Sequence, residues 1–409
     1  MRILFITHYF QPEPNFFVGL PFAKELARRG HEVEVLTGFP NYPGGKIYDG
    51  YRIRILQRET LDGIPVDRVP LYPSHDNSSI KRMMCYMSLA MSASTIGAWA
   101  VKPADVAYVP QGPITVGIPA CVLKRLKGIP FVLHIQDLWP DSLLSTGMFN
   151  NKLGLKIVNG WCNFIYKRAA KIVTITPGMK QRLIERGVVE DKIEVVYNWC
   201  DDSQICHTEK NEELAKSLGF AGRFNIVFAG NMGKAQAIAP VLDAAKIVGE
   251  KQPAIQFVFI GSGVDVEGLK KKAADMQLKN VLFLARRPVS EIGAILGLAN
   301  VLFVHLKKDP LFEITIPSKT QAYLAAGRPV LIGVPGDAGD LVTKANAGLP
   351  CEPENPQSIA DAVLKFHSMP RSELDAMGQN GKRFYEQQLS FDIATTRFEK
   401  IFNSVAKNN

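Results

Sequence analysis

The chain has 409 residues, 46% of them hydrophobic and 21% charged, which excludes a disordered or fibrous protein and suggests two or three globular domains. Its net charge of +9 suits an anionic partner (lipid, nucleotide phosphate or nucleic acid) or simply a basic surface. Zinc-finger spacing, an RNP-like aromatic motif and a dense basic run are all missing from the sequence, so nucleic acid is the weakest of the three.

The N-terminal apolar run, Met1 to Thr7, is too short for a signal peptide and reads as a first strand. In chain order, strands are predicted at Arg2–His8, Glu32–Thr37, Ile64–Val69, Val106–Val109, Phe131–Ile135, Lys171–Thr176 and Ile193–Val196. A polar stretch, Tyr197–Phe220, then breaks the series. It resumes at Asn225–Ala229, Gln256–Ile260, Val281–Leu284, Val301–His305 and Val330–Gly333. Amphipathic helices fill the gaps. Strands alternating with helices predict an α/β protein with two doubly wound, parallel-sheet, Rossmann-like domains. Their natural ligand site is a cleft between them, beyond the carboxyl ends of the strands. The expected boundaries are 1–198, 199–385 and a C-terminal helix at 386–409 that crosses back to the first domain.

From Met83 to Val101 there is no charged residue. Serines, Thr95 and Gly97 dilute the run too much for a membrane-spanning helix. It reads as a helix packed on the sheet, with or without one face in a membrane surface; Lys81 and Arg82 precede it as in interfacial anchors. Six scattered cysteines suggest reduced thiols, and Cys200, Cys206 and His207 have no evident fourth ligand for a metal.

Three segments suit phosphate. Pro317-Ser318-Lys319 opens a predicted helix that Gly327 ends, which puts free N–H groups and a lysine at a positive helix end. The plainer alternative is an ordinary helix with a lysine in its first turn. Gly230-Asn231-Met232-Gly233-Lys234 follows a strand, and its glycines let the backbone approach a ligand. It matches neither a dinucleotide fingerprint nor a P-loop. Gly261-Ser262-Gly263 ends the next strand in the same way.

In the first half, His134-Ile135-Gln136-Asp137 lies at a strand end. Alternation places His134 and Gln136 on one face. Asp137 either accepts from a sugar hydroxyl or caps the following helix. The loop from His8 to Gly19, which includes Asn15, is placed to reach a ligand.

Taken together, the paired domains, Gln136-Asp137-Leu138-Trp139-Pro140, Gly230 to Gln236, Gly261 to Gly263 and Ile316 to Val330 resemble the retaining glycosyltransferases of family 4, with the GT-B fold. Within that family the closest likeness is to bacterial O-antigen and capsule enzymes of the N-acetyl-L-fucosamine transferase type. The resemblance covers essentially the whole chain. It implies an enzyme that moves a sugar from a UDP-sugar to a lipid-diphosphate-linked saccharide at the cytoplasmic face of the inner membrane, without cofactor or metal. Gly230, Asn231, Gly233, Lys234, Gly261, Gly263, Arg286, Ser318 and Lys319 would bind the donor. Gln136, Asp137, Asn15, Gly19, Lys81 and Arg82 would serve the acceptor. Asp137, Glu313, Lys234, Lys319 and His134 would be the catalytic set.

Two departures stand out. The family's Glu-x7-Glu pair falls on Ile314 and Ala322 here; Glu313 and Gln321 keep the spacing but are shifted by one residue, about 100° around a helix. The family's His-Asp pair is Gln136-Asp137, and Gln136 is not a base near neutral pH. A UDP-sugar 2-epimerase or a non-catalytic relative are the alternatives.

Overall fold

The computed structural model describes residues 1–14, 18–74, 78–145, 152–201, 205 and 211–407; Asn15, Cys206 and His207 lie outside them. The chain divides into two compact units, Met1–Val196 with Thr395–Asn409, and Tyr197–Ala394.

The first unit is built on eight strands: β1 (Arg2–Ile6), β2 (Glu32–Gly38), β3 (Gln57–Leu61), β4 (Ile64–Val69), β5 (Val106–Gln111), β6 (Phe131–Ile135), β7 (Lys171–Thr174) and β8 (Ile193–Val195). Their order is β3-β4-β2-β1-β5-β6-β7-β8. Central strands such as β5 and β6 are buried along their whole length, so they read as continuous apolar runs. Phe5 of β1 stands level with Val35 on one side and Tyr108 on the other, both in parallel register. Among the described pairings of this sheet, β3 alone runs antiparallel, against β4. Its sequence, Gln-Arg-Glu-Thr-Leu, is that of a polar edge strand, and the apolar pattern does not reveal it.

The helices of this unit are α1 (Leu20–Arg28), α2 (Ser79–Ser92), α3 (Ala98–Ala100), α4 (Gly117–Lys127), α5 (Asp141–Ser145), α6 (Lys152–Arg168) and α7 (Pro177–Glu185). A π turn, Ala93–Gly97, joins α2 to α3. Right-handed crossovers put α1 on one face of the sheet and α2, α4 and α6 on the other.

The second unit has six parallel strands: β9 (Phe224–Ala229), β10 (Ile255–Gly261), β11 (Val281–Ala285), β12 (Val301–His305), β13 (Val330–Gly333) and β14 (Gly348–Pro350). Their order is β11-β10-β9-β12-β13-β14. Its helices are α8 (Glu212–Ser217), α9 (Ala239–Lys251), α10 (Val266–Asp275), α11 (Val289–Gly297), α12 (Pro310–Glu313), α13 (Ser318–Ala325), α14 (Asp337–Lys344), α15 (Pro356–Ser368) and α16 (Arg371–Gln388). The last helix, α17 (Phe391–Ala406), follows a break at Leu389 and Ser390, and from Thr395 onward it belongs to the first unit. There Phe398 packs against Phe22, Tyr108 and His134, and Glu399 binds Arg29 and His31.

In each sheet the chain order reverses beside the first strand, β1 or β9. The crevice at the carboxyl end of that strand is where open α/β sheets take ligands.

Candidate active site

In the second unit, three loops leave the carboxyl ends of β9, β10 and β11 together. Ala229, Gly230, Asn231, Gly261, Ser262 and Arg286 contribute to the walls of one cavity of about 400 Å³. The loops touch backbone to backbone: Gly230 N donates to Ile260 O at 2.8 Å and Met232 N to Ser262 O at 2.8 Å. Gly261 has φ +144°, and a Cβ there would lie 2.0 Å from Gly230 O. Only glycine allows that approach. Gly263 packs against Met232 in the same way.

Two residues outside the loops hold them. Tyr323 of α13 donates its hydroxyl to Ala229 O at 3.2 Å and accepts from Ala229 N at 2.8 Å. His305, at the end of β12, has Nδ1 2.8 Å from Gln236 O and accepts at Nε2 from Glu354 N at 3.0 Å. The ring is therefore neutral with its proton on Nδ1, and burial lowers its pKa. Gln236 in turn accepts from Gly233 N and Asn231 Nδ2. Lys234 is exposed in the short turn Lys234–Gln236.

α13 brings Lys319 to the same place. Pro317 is its N-cap and Ser318 its first residue, exposed and without a side-chain capping bond. Lys319 Nζ is buried and has no hydrogen-bond partner among the described residues. It lies 3.5 Å from the Phe228 ring centroid and points at Gly230, where a Cβ would be 3.2 Å away. Burial lowers its pKa to about 7. An amine left unsatisfied beside a glycine turn and a helix N-terminus is a seat for an anion.

Gln321 and Glu313 do not replace a carboxylate pair. Gln321 is buried, and its amide nitrogen can reach Pro317 O and Ser318 O at 2.9 and 3.1 Å, so it closes the turn of its own helix. Glu313 is exposed at the end of α12, and its main chain packs against Gly336.

The first unit carries a second cavity, of about 550 Å³, at the carboxyl ends of β1, β5 and β6. Tyr9, Tyr42, Tyr86 and Trp139 give it an aromatic wall, and Gln111, Gln136 and Asp137 add polar groups. Asp137 is open to solvent on one side, yet loss of hydration on the other raises its pKa. Gln111 Nε2 donates to Asp137 O at 3.1 Å and holds the loop in place. Glu13 is buried and accepts from Asn41 N and Tyr42 N at 2.8 Å each, which fixes the wall that carries Tyr42. Gly19 is the buried N-cap of α1.

One expectation is corrected here. His134 is fully buried, lines none of this cavity, and packs its ring 5.0 Å from Phe398. Its Nε2 accepts from Gln136 Nε2 at 3.0 Å, and its Nδ1 is 2.6 Å from the Tyr108 hydroxyl. Burial pulls its pKa down to about 3. It positions Gln136 and is not placed to take a proton from a ligand. Lys81 is exposed on the first turn of α2, and Arg82 is half-buried; neither lines the cavity.

Two family models match the chain. Residues 20–199 match "Glycosyl transferase 4-like domain" and residues 209–384 match "Glycosyl transferases group 1". The chain belongs to the family 4 glycosyltransferases. Among its relatives is WcaI of Escherichia coli (strain K12), a glycosyl transferase named for colanic acid biosynthesis, 26% identical over 85% of this chain and 86% of that one. WbjE of Pseudomonas aeruginosa, named as a glycosyltransferase, is 24% identical over 68% and 69%. Solved structures share the GT-B fold. HepE of Anabaena in complex with UDP has a TM-score of 0.71 at 14% identity, over 99% of this chain and 100% of that one. A UDP-forming trehalose-phosphate synthase of Burkholderia xenovorans has a TM-score of 0.74 at 14% identity, over 99% of each.

In this glycosyltransferase the glycine turns, Arg286 and Lys319 come together at the neighbouring carboxyl ends of β9, β10 and β11. Tyr323, His305 and Glu13 carry no signal in the linear pattern: two read as core residues and one as a loop acid. Among the described residues no group of three His, Cys, Asp or Glu side chains could hold a metal ion.

Proposed function

We propose that this glycosyltransferase moves a sugar, with retention and without a metal, from a UDP-sugar to a lipid-diphosphate-linked saccharide at the cytoplasmic face of the inner membrane. The observation that carries the donor half is Lys319: a buried amine without an acceptor among the described residues, set against Gly230 of the cavity wall, is completed by a diphosphate. Lys234, Ser318 and the N–H of Asn231 add donors for the charge that grows on the leaving group. Arg286 and Arg287, which share the cavity wall, suit the ribose or base.

The acceptor half rests on the aromatic cavity with Asp137 at its mouth. Aromatic walls stack on sugar rings, and a carboxylate orients a hydroxyl. Without a histidine beside Asp137, the donor's own β-phosphate takes the acceptor proton, in keeping with retention. That WcaI, named for colanic acid biosynthesis, and HepE in complex with UDP are among the similar proteins supports this reading. The sugar proposed is N-acetyl-L-fucosamine, on the likeness of the Gly230 to Gln236 and Pro317 to Val330 motifs.

The test is a transfer assay with undecaprenyl-diphosphate-linked GlcNAc or GalNAc and a panel of UDP-, GDP- and dTDP-sugars, with EDTA present, read by mass spectrometry of the lipid. One product from UDP-N-acetyl-L-fucosamine is expected. Conversion of a free UDP-sugar with no lipid product would instead identify an epimerase.

A further inference from the structure

The layer formed by α2–α3, α4 and α6 differs in chemistry from an ordinary surface. None of these helices contains an aspartate or glutamate. From Ser78 to Ile184 the sequence has thirteen lysines and arginines against three carboxylates, Asp105, Asp137 and Asp141. Such an excess of one sign raises the local potential and favours an anionic partner.

The same layer shows apolar side chains to water. Ile80, Met84, Met91 and Trp99 run along the outer side of α2–α3, while Cys85, Tyr86 and Leu89 turn inward. Trp99 is 79% exposed, and Leu126 on α4 is 68% exposed. On α6, Leu153, Ile157 and Phe164 are exposed as well. Lone exposed apolar residues are common, but a set gathered on one layer marks an interaction site.

The layer is continuous. α4 packs against α2, α3 and α6. Lysines stitch the helix ends together: Lys127 Nζ donates to Val101 O, and Lys124 Nζ to Arg168 O at 2.8 Å. The Arg168 guanidinium lies 3.5 Å from the Phe164 ring centroid. Trp99, Leu126 and Phe164 thus stand on adjoining helix ends among cations.

We infer that this layer is a docking surface for an anionic lipid bilayer. A bilayer uses both features at once: its head groups meet the lysines and arginines, and its acyl boundary takes the tryptophan, methionines and leucines. Nucleic acid would use only the cations. No described helix is long and apolar enough to cross a membrane, so the contact is peripheral. The surface also adjoins the acceptor cavity through one helix. Tyr86 of α2 lines that cavity, and Met84 and Met91 of the same helix face out. This last link rests on the proposed lipid-linked acceptor; the docking surface itself does not.

The experiment is flotation of the full chain with vesicles of phosphatidylcholine, alone or mixed with phosphatidylglycerol. Wild type should float with the mixed vesicles and stay behind with the neutral ones. The combined Met91→Ser, Trp99→Ser and Leu126→Ser variant should partition about tenfold less or weaker still. Arg125→Glu with Lys156→Glu should lose the preference for phosphatidylglycerol. The circular dichroism spectrum and thermal melt of both variants should match wild type, which reports an intact first unit. Wild type that stays behind with both vesicles overturns the inference, as does undiminished flotation of both variants, or retention on duplex DNA without vesicle binding. Transfer is measured in parallel with a water-soluble short-chain acceptor. Vesicle binding without transfer refutes the acceptor reading and leaves the surface standing; transfer without vesicle binding does the reverse.

Discussion

Lys319 Nζ stands 3.5 Å from the centroid of the Phe228 ring and has no hydrogen-bond partner among the described residues. Burial alone brings its pKa from the usual 10.5 to about 7, and its charge adds to the lowering of the His305 pKa. A diphosphate supplies the missing acceptors and favours the ammonium form. Above about pH 7, binding must therefore take up a proton. UDP affinity should fall as pH rises past this point, by up to about tenfold per unit. Calorimetry in two buffers of different ionisation enthalpy measures the uptake directly. Lys319→Met should remove it and weaken binding by roughly 1.5–3 kcal/mol. If uptake persists in that variant, another group is responsible.

The same lysine has an opposite effect on folding. The unfolded chain keeps this proton until about pH 10.4, whereas the folded amine releases it near 7. Between those values the unfolded state binds more protons, so the stability contribution rises with pH. Lys319→Met should then raise the Tm of the ligand-free protein near pH 7, while wild type gains more from added UDP. A thermal melt with and without UDP checks both signs.

Asp137 gives a comparable trade. Its pKa is raised by burial, so the charged form is disfavoured in the folded state. A raised carboxyl pKa contributes stability below the unfolded value and loses it as pH rises through the folded one. Asp137→Asn should thus hold or increase the Tm at neutral pH. Transfer should drop by about a hundredfold or more if the carboxylate orients the acceptor. In wild type, kcat/KM should fall on the acid side at a pH above the ordinary carboxylate range. A variant with full activity would remove Asp137 from the site.

Gly261 tests the loop geometry. An added Cβ would lie 2.0 Å from Gly230 O at a φ of +144°. Gly261→Ala must therefore push the β9 and β10 loops apart. The expected cost is about 2 kcal/mol or more in unfolding, with a larger relative loss in UDP affinity. Gly222→Ala is the control: its φ is also positive, but nothing lies within 4 Å. Denaturant titration of the two variants separates crowding from backbone strain.

Much of this architecture was legible in the linear pattern because buried parallel strands are apolar end to end. Phe131–Ile135 and Val301–His305 show this clearly. β3 was not legible, since an edge strand with one partner can be polar, and β14 is three residues long. The same logic divides the site. Gly230, Gly261 and Lys319 follow strands or open a helix, so position alone hints at phosphate. His134 was placed on the right face by alternation, but only tertiary packing reveals that Phe398 of α17 covers it. Gln321 looked like a shifted functional residue, and a turn of about 100° aims it at its own helix start.

Tyr323 makes the sharpest remaining prediction, because its role is to hold backbone and not to touch ligand. Its hydroxyl bonds both Ala229 N and Ala229 O, one residue before Gly230, from a fully buried position. Tyr323→Phe keeps the ring and the packing but leaves an amide and a carbonyl without that partner. The loss should be about 1–3 kcal/mol in unfolding free energy. UDP affinity should weaken further than global stability explains, because Gly230 and Lys319 depend on the register of this strand end. Amide hydrogen exchange should locate the new opening at Ala229 and Gly230, with β12 and β13 still protected. Equal destabilisation across the unit, with UDP affinity unchanged, would reduce Tyr323 to an ordinary core residue.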